Sequence, residues 1–150
     1  MEAGDGTREG ESGSDPPPFI KERGLGVLRA YRFVLLACGY MFGIYVVSSL
    51  PGESTERLMW LPDYVFHALG YAVLAALWFI ALRRTWDLSV RKAVVWTMLI
   101  ALLYGVLDEI HQSFTPGRVP SSADVVADVL GAAIALLLMG LRPVRRALHI

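Results

Sequence analysis

Cysteine is almost absent from this chain of 150 residues, which contains a single one, Cys38, inside an apolar run. One cysteine excludes an internal disulfide and any cysteine-based metal site. The sequence also lacks a glycine-rich phosphate-binding loop and a metal motif of the His-x-x-Glu type. Its net charge is formally zero, yet 55% of its residues are hydrophobic, a share above the roughly 45–50% of soluble domains. The length allows one domain, in which the charges are segregated along the chain.

The first 24 residues differ in composition from the rest. They are rich in Gly, Glu, Ser, Asp and Pro, and such a segment cannot bury enough apolar surface to offset its ordering entropy. We therefore expect residues 1–24 to be a disordered cytoplasmic tail and residues 25–150 to form the folded domain. The tail does not resemble a secretory signal peptide, because the first apolar run starts only near Tyr31 and largely acidic residues precede it.

Four apolar runs of 17 to 19 residues follow, at 33–50, 64–82, 93–110 and 125–141. Each has the length of roughly 17–25 residues that crosses a bilayer as a helix. A soluble bundle would need polar outer faces, which the first and fourth runs lack, and the period-2 alternation of barrel strands is missing. The sequence predicts an all-α polytopic membrane protein with four transmembrane helices.

Lysine and arginine predict the orientation of these helices. Eleven flank one side of the runs and two flank the other. The eleven are Lys21, Arg23, Arg29, Arg32, Arg83, Arg84, Arg91, Lys92, Arg142, Arg145 and Arg146; the two are Arg57 and Arg118. Because basic loops stay in the cytoplasm, we expect an N-in/C-in topology with loops 51–63 and 113–124 outside. This rule accounts for the basic residues, so the lipid bilayer is the expected partner and nucleic acid is not.

Costly polar residues converge at the predicted outer ends of three helices. A charge at the bilayer centre costs at least ~2.5–3.5 kcal/mol, so polar groups inside spans are candidates for function. We predict a ligand-binding site on the outer side, and among its members Glu109, His67 and Asp128 are the candidates for catalysis. The site comprises His67, Tyr104, Asp108, Glu109, Gln112, Arg118, Asp124 and Asp128. The sequence identifies neither a metal nor a cofactor for it.

Structural roles are open for several of these residues. Asp63 follows Pro62 and is placed to cap the second helix. Ser121-x-x-Asp124 fits a capping box, whereas Asp128 lies one turn deeper, beyond the reach of capping. An ion pair between Glu109 and Arg118 would fix the outer loop.

The last run carries small residues at four-residue steps, Ala127, Gly131 and Ala135. Such a stripe lets helices approach closely in lipid. It lies beside Asp124 and Asp128, so we expect the acidic face to turn into the bundle.

The spacing of the polar residues resembles that of the VanZ-like family of membrane proteins. Three pieces carry the resemblance over about residues 33–141: Asp63-x-x-x-His67-x-x-x-Tyr71; Tyr104-Gly105-x-x-Asp108-Glu109-x-x-Gln112-x-Phe114-x-Pro116-Gly117-Arg118; and Asp124-x-x-x-Asp128-x-x-Gly131. Many relatives have Lys after the first Asp, where this chain has Tyr64, and a glycine pair in the last helix is reduced to Gly131. The resemblance implies a bacterial plasma-membrane protein of the cell envelope, since the family is named for a member linked to resistance to the glycopeptide antibiotic teicoplanin.

Three functions fit these observations. The first is binding of the headgroup of an envelope lipid or cell-wall precursor, with Arg118 contacting phosphate or carboxylate. The second is an intramembrane cation-dependent hydrolase or transferase acting on a lipid-linked phosphate. In it Asp108, Glu109 and Asp128 with His67 could bind a divalent cation, and His67 or Glu109 would be the general base. The third is a structural or transport protein. Four helices are few for a carrier, which would have to be a homodimer, and the small-residue stripe could supply its interface.

Overall fold

The structure, a computed structural model, describes residues 18–58 and 60–140, and side chains within 31–55 and 60–140. Its helices are α1 Pro18–Ser48, α2 Gly52–Leu58, α3 Asp63–Thr85, α4 Val90–Gln112 and α5 Ser122–Gly140. Four of them, α1, α3, α4 and α5, are long and apolar enough to span a membrane, which confirms the predicted class. The short α2 was not predicted and lies within loop 51–63.

Helix α1 is longer than its apolar run. It begins at Pro18, so the structure makes residues 18–24 of the predicted tail helical. Proline is well suited to a first helical position because its missing N–H would have no partner there. Residues 1–17 lie outside the described residues, and their disorder stays a prediction.

Serine side chains begin two of the spanning helices. Ser89 precedes α4, and its Oγ accepts a hydrogen bond from the backbone N of Lys92 at 3.4 Å. Ser121 precedes α5, and its Oγ accepts from the backbone N of Ala123 at 3.2 Å. Each hydroxyl satisfies one of the N–H groups that a helix start leaves without a partner.

One end of the bundle, here called the polar end, is formed where α1 and α4 terminate and α3 and α5 begin. The two connections at this end meet through glycines: the backbone N of Gly52 donates to the carbonyl of Pro116 at 3.1 Å. A Cβ on Gly52 would overlap the carbonyl of Gly117, which itself has a φ of +75°. Only glycine fits this close approach and this left-handed conformation without strain.

The core is narrow and built largely from small residues. Two apolar clusters follow the bundle, one around Tyr71, Leu74 and Ala132 and one around Phe79 and Leu136. Large apolar side chains of every spanning helix face outward instead, including Phe42, Val95, Leu107 and Leu137. An exterior of this kind is stable against lipid tails and not in water.

Helix α5 packs closely against α3. A Cβ on Gly131 would overlap the backbone carbonyl of Ala68, and Ala127 and Ala135 are buried beside it. The acidic face of α5 therefore turns inward, as predicted. Because the small-residue stripe is occupied within the chain, its suggested use as a homodimer interface was wrong, and a homodimer stays a prediction that needs another surface.

Candidate functional site

A cavity of about 250 Å³ opens at the polar end between α1, α3 and α4; we call it the end cavity. Its polar wall consists of Ser48, Asp63, His67, Tyr71, Asp108, Gln112 and Arg118. Its apolar wall comes mainly from α1 and the first turns of α3, and consists of Tyr40, Gly43, Ile44, Val47, Phe66 and Gly70. The cavity is thus amphipathic, since charged and apolar side chains both contribute to its lining.

The charged side chains at the polar end, here called the polar cluster, include a hydrogen-bonded pair, His67 and Asp128. The other members are Asp63, Asp108, Glu109, Arg118 and Asp124. Nδ1 of His67 donates to Oδ1 of Asp128 at 3.0 Å, and Asp128 is fully buried. Its second oxygen, Oδ2, lies over Gly105, where a Cβ would come within 2.6 Å of it. Gly105 of α4 therefore leaves the space that a carboxylate of α5 fills, and the bond to Asp128 fixes the tautomer and orientation of the imidazole.

Asp108 and Glu109 enter the cluster from the last turn of α4. Both are buried, and Nε2 of Gln112 donates to Oδ2 of Asp108 at 3.1 Å. Glu109 accepts a hydrogen bond at Oε2 from the backbone N of Ser121, at 2.6 Å. The end of α4 is thereby joined to the start of α5.

This contact revises the expected capping box. In that motif the side chain of Asp124 would accept from the backbone N of Ser121, but Glu109 takes this bond across the helix interface. Asp124 is buried within the cluster, with its backbone N donating to the carbonyl of Ser121 at 3.0 Å. Its carboxylate therefore belongs to the polar cluster.

Arg118 has a different partner from the one expected. Its Nη1 donates to Oδ2 of Asp63 at 3.2 Å, and its side chain is buried. The Glu109–Arg118 ion pair was therefore a wrong prediction, since Arg118 pairs with Asp63 instead. Asp63 does not cap α3: Pro62 is the N-cap and makes no side-chain capping bond. A second cavity between the loops, of about 340 Å³, also includes Asp63 and Arg118 in its lining, so the two residues contribute to both cavities.

Two tyrosines of the motifs have different surroundings. The Tyr104 hydroxyl donates to the carbonyl of Met41 at 2.6 Å, which ties α4 to α1, and Tyr104 is not part of the end-cavity lining. Tyr71 is buried in that lining, with its ring stacked 6.4 Å from His67. Tyr64, which replaces the lysine of many relatives, is exposed and does not line the cavity.

The sequence reasoning did not select the residues that α1 contributes. Tyr40 lines the end cavity and donates to the carbonyl of Gly70 at 3.2 Å, and Ser48 is buried in the lining. The only signal was their spacing of eight residues, which places them on one helical face. A tyrosine and a serine cost little in a membrane helix, so they did not stand out as charges do.

The cluster holds more acid than base. Five carboxylates, those of Asp63, Asp108, Glu109, Asp124 and Asp128, stand against Arg118 and His67. Several buried polar atoms have no hydrogen-bond partner within the described part of the chain: Asp63 Oδ1, Tyr71 hydroxyl, Glu109 Oε1, Arg118 Nε and Asp128 Oδ2. Unpaired buried polar groups are expensive, so this cluster is suited to binding a charged or polar ligand.

Two sets of side chains in the cluster have spacing suited to a metal ion. Asp63, His67 and Asp124 form one, and His67, Asp108 and Glu109 form the other; within each set the ligating atoms lie within 4.8 Å of one another. Both sets include His67, so the two sets cannot bind separate ions through the same imidazole nitrogen.

A bundle of spanning helices with an apolar exterior and a buried polar cluster at one end defines a multi-pass membrane protein. Residues 33–142 match the model of the VanZ/LLP1 family, and the chain belongs to this family. No curated protein and no solved structure matched the chain.

Proposed function

We propose that this protein binds the phosphate-bearing headgroup of an envelope lipid or lipid-linked cell-wall precursor in the end cavity. The observation that carries the proposal is the amphipathic lining, which combines the charged side chains of Arg118 and His67 with apolar ones such as Ile44 and Val47. An amphiphile needs both surfaces at one place, because its headgroup and its hydrocarbon chain must each find matching surroundings.

The apolar wall supports a lipid over a soluble ligand. Gly43 and Val47 line the cavity, yet both are exposed on the outer surface of α1. A hydrocarbon chain would therefore leave the cavity along α1 into the bilayer. Ligand sites for drug-sized molecules measure about 300–1,000 Å³, so a cavity of about 250 Å³ fits a phosphate or diphosphate and not a whole glycan-peptide.

Arg118 is the residue best suited to the phosphate. Its side chain is buried, and its Nε has no partner among the described residues, while Nη1 is bonded to Asp63. Guanidinium groups bind phosphate through two parallel N–H bonds. Asp63 retains contact with solvent, because 43% of its side chain is exposed, so a phosphate can displace it without leaving a buried charge unpaired.

The orientation is part of the proposal. The excess of Lys and Arg on the opposite side supports a polar end that faces the cell-wall side of a bacterial plasma membrane. In that position the end cavity would meet lipids of the outer leaflet.

Native mass spectrometry of protein purified from its own membranes tests the binding. We expect the wild type to retain a lipid whose fragment ions contain phosphate or diphosphate, and Arg118→Gln to retain it at least tenfold less. Arg91→Gln is the matched control, because Arg91 is an exposed arginine at the start of α4, at the opposite end of that helix from the cavity. Wild-type protein without a phosphate lipid, or equal retention by Arg118→Gln, would refute the proposal.

A second function is favoured by one observation, the His67–Asp128 hydrogen bond at 3.0 Å. A carboxylate that orients an imidazole commonly supports a metal-binding histidine, and Glu109 is close enough to share a metal ion with His67. We propose as the alternative a cation-dependent hydrolase or transferase on a lipid-linked phosphate. Release of inorganic phosphate from a short-chain prenyl diphosphate, dependent on added Mg²⁺ or Mn²⁺ and lost in His67→Gln, would favour it over binding alone.

A further inference from the structure

We infer that His67, Asp108 and Glu109 form a binding site for one divalent cation beside the end cavity. Their ligating atoms lie within 4.8 Å of one another. A metal at bond lengths of about 2.0–2.2 Å separates its tetrahedral ligands by about 3.4 Å. Small side-chain rotations are therefore enough to close these three groups around an ion.

Each of the three side chains makes a hydrogen bond through one polar atom and has a second polar atom that can bind the metal. Asp128 accepts from Nδ1 of His67, Gln112 donates to Oδ2 of Asp108, and Ser121 donates to Oε2 of Glu109. These bonds leave Nε2 of His67, Oδ1 of Asp108 and Oε1 of Glu109 for a metal. A metal-bound histidine commonly donates its second N–H to a carboxylate, and metal-bound carboxylates are themselves hydrogen-bonded.

Unpartnered buried atoms point to a ligand independently of the spacing. Glu109 is 93% buried, being 7% exposed, and its Oε1 has no partner among the described residues. Two further buried atoms also have no hydrogen-bond partner among the described residues: Oδ2 of the fully buried Asp128 and the hydroxyl of Tyr71, which is 2% exposed. The Glu109 carboxylate is therefore oriented by the hydrogen bond at Oε2 and can bind a cation through Oε1.

The charge of the cluster agrees with a cation. Arg118 neutralises Asp63, and His67, even when protonated, neutralises one further carboxylate. Three of the five carboxylates then have no cationic partner within the cluster. Burying anionic charge of this density is costly without a counter-ion, and a divalent cation supplies two positive charges.

The alternative set of Asp63, His67 and Asp124 is the weaker of the two. Asp63 is already paired with Arg118, and 43% of its side chain is exposed. Asp108 and Glu109 are both buried and each has one oxygen anchored. One imidazole nitrogen with two carboxylate oxygens suits Zn²⁺ or Mn²⁺ better than Ca²⁺, which prefers six to eight oxygens.

His67 and Asp108 also line the end cavity, so an ion bound here would present its open positions to a ligand there. It would then bridge the acidic wall to a phosphate oxygen. This bridging role rests on the proposed headgroup binding, whereas the cation site itself does not.

The test uses the full-length protein in lipid nanodiscs, stripped with a chelator and then equilibrated with Zn²⁺ or Mn²⁺ alone. We expect about one ion per chain by elemental mass spectrometry, and an X-ray absorption spectrum with nitrogen and oxygen ligands at about 2.0–2.2 Å. Glu109→Gln should lower the affinity at least tenfold. Glu53→Gln, which changes an exposed carboxylate of α2 outside the cluster, should leave the affinity unchanged.

Asp128→Asn supplies a second measurement that does not remove a ligand. It removes the carboxylate that orients His67, and loss of such a partner weakens metal binding about 10–100-fold. Far-UV circular dichroism checks that each variant is folded. A wild type that takes up no ion, or Glu109→Gln with wild-type affinity, overturns the site.

A final comparison separates the cation site from the headgroup proposal. If metal binds and phosphate lipid is retained only before chelation, the bridging role is supported. If metal binds but no phosphate lipid is retained in either condition, the cation site stands and the headgroup proposal fails. Lipid retained equally before and after chelation overturns the bridging role alone.

Discussion

Substitution of Gly131 by Ala tests the contact that sets the distance between α5 and α3. The added Cβ would overlap the carbonyl oxygen of Ala68, a backbone atom that cannot rotate away. Ordinary contact begins at about 3.4 Å, so the two helices must separate locally by more than about 1 Å.

The size of the effect follows from two opposing terms. Overpacking costs about 1–3 kcal/mol, and a clash with backbone belongs at the upper end. Replacing a helical glycine by alanine returns about 0.5–1 kcal/mol through its lower conformational entropy. We therefore expect Gly131→Ala to reduce the free energy of unfolding by about 2 kcal/mol, which corresponds to roughly a 30-fold change in the folding equilibrium.

The assay is reversible unfolding by SDS from mild detergent micelles, followed by far-UV circular dichroism. Gly39→Ala is the matched control, because Gly39 lies in α1 and a Cβ there meets nothing within 4 Å. This control should be unchanged or more stable by up to about 1 kcal/mol. Equal unfolding midpoints for the two variants would show that α5 does not rest on the backbone of α3, and would refute the reasoning.

Two further predictions concern the site and its orientation. Gly105→Ala should weaken Zn²⁺ or Mn²⁺ binding about tenfold without loss of helicity, because its Cβ would displace the Asp128 carboxylate that orients His67; isothermal titration measures this, and unchanged affinity contradicts it. In intact cells that carry Cys38→Ser, a cysteine at the exposed position 119 should react with an impermeant thiol reagent and one at position 87 should not. The reverse labelling pattern would place the polar end in the cytoplasm.

The sequence determined the class of this protein and the end of the bundle at which its polar residues lie. A span needs about 17–25 apolar residues because every backbone polar group must be satisfied within the helix, and four runs of that length leave little choice of fold. Helices α3 and α4 extend one to three residues beyond both ends of their runs, whereas α1 and α5 begin before their runs and end two residues and one residue short of the run ends. Helical spacing and the order of the runs were sufficient to place Asp63, Asp108 and Asp124 at the same end.

Only the tertiary structure decided which polar groups meet. Side chains at one depth can pair in several ways, and the choice depends on how the helices rotate and how closely they approach. Arg118 binds Asp63, and the backbone of Ser121 at the start of α5 binds Glu109. The close packing permitted by Gly131 and the space left by Gly105 bring Asp128 to His67. Spacing along the chain fixes the face of a helix on which a residue lies, whereas contact between helices fixes its partner.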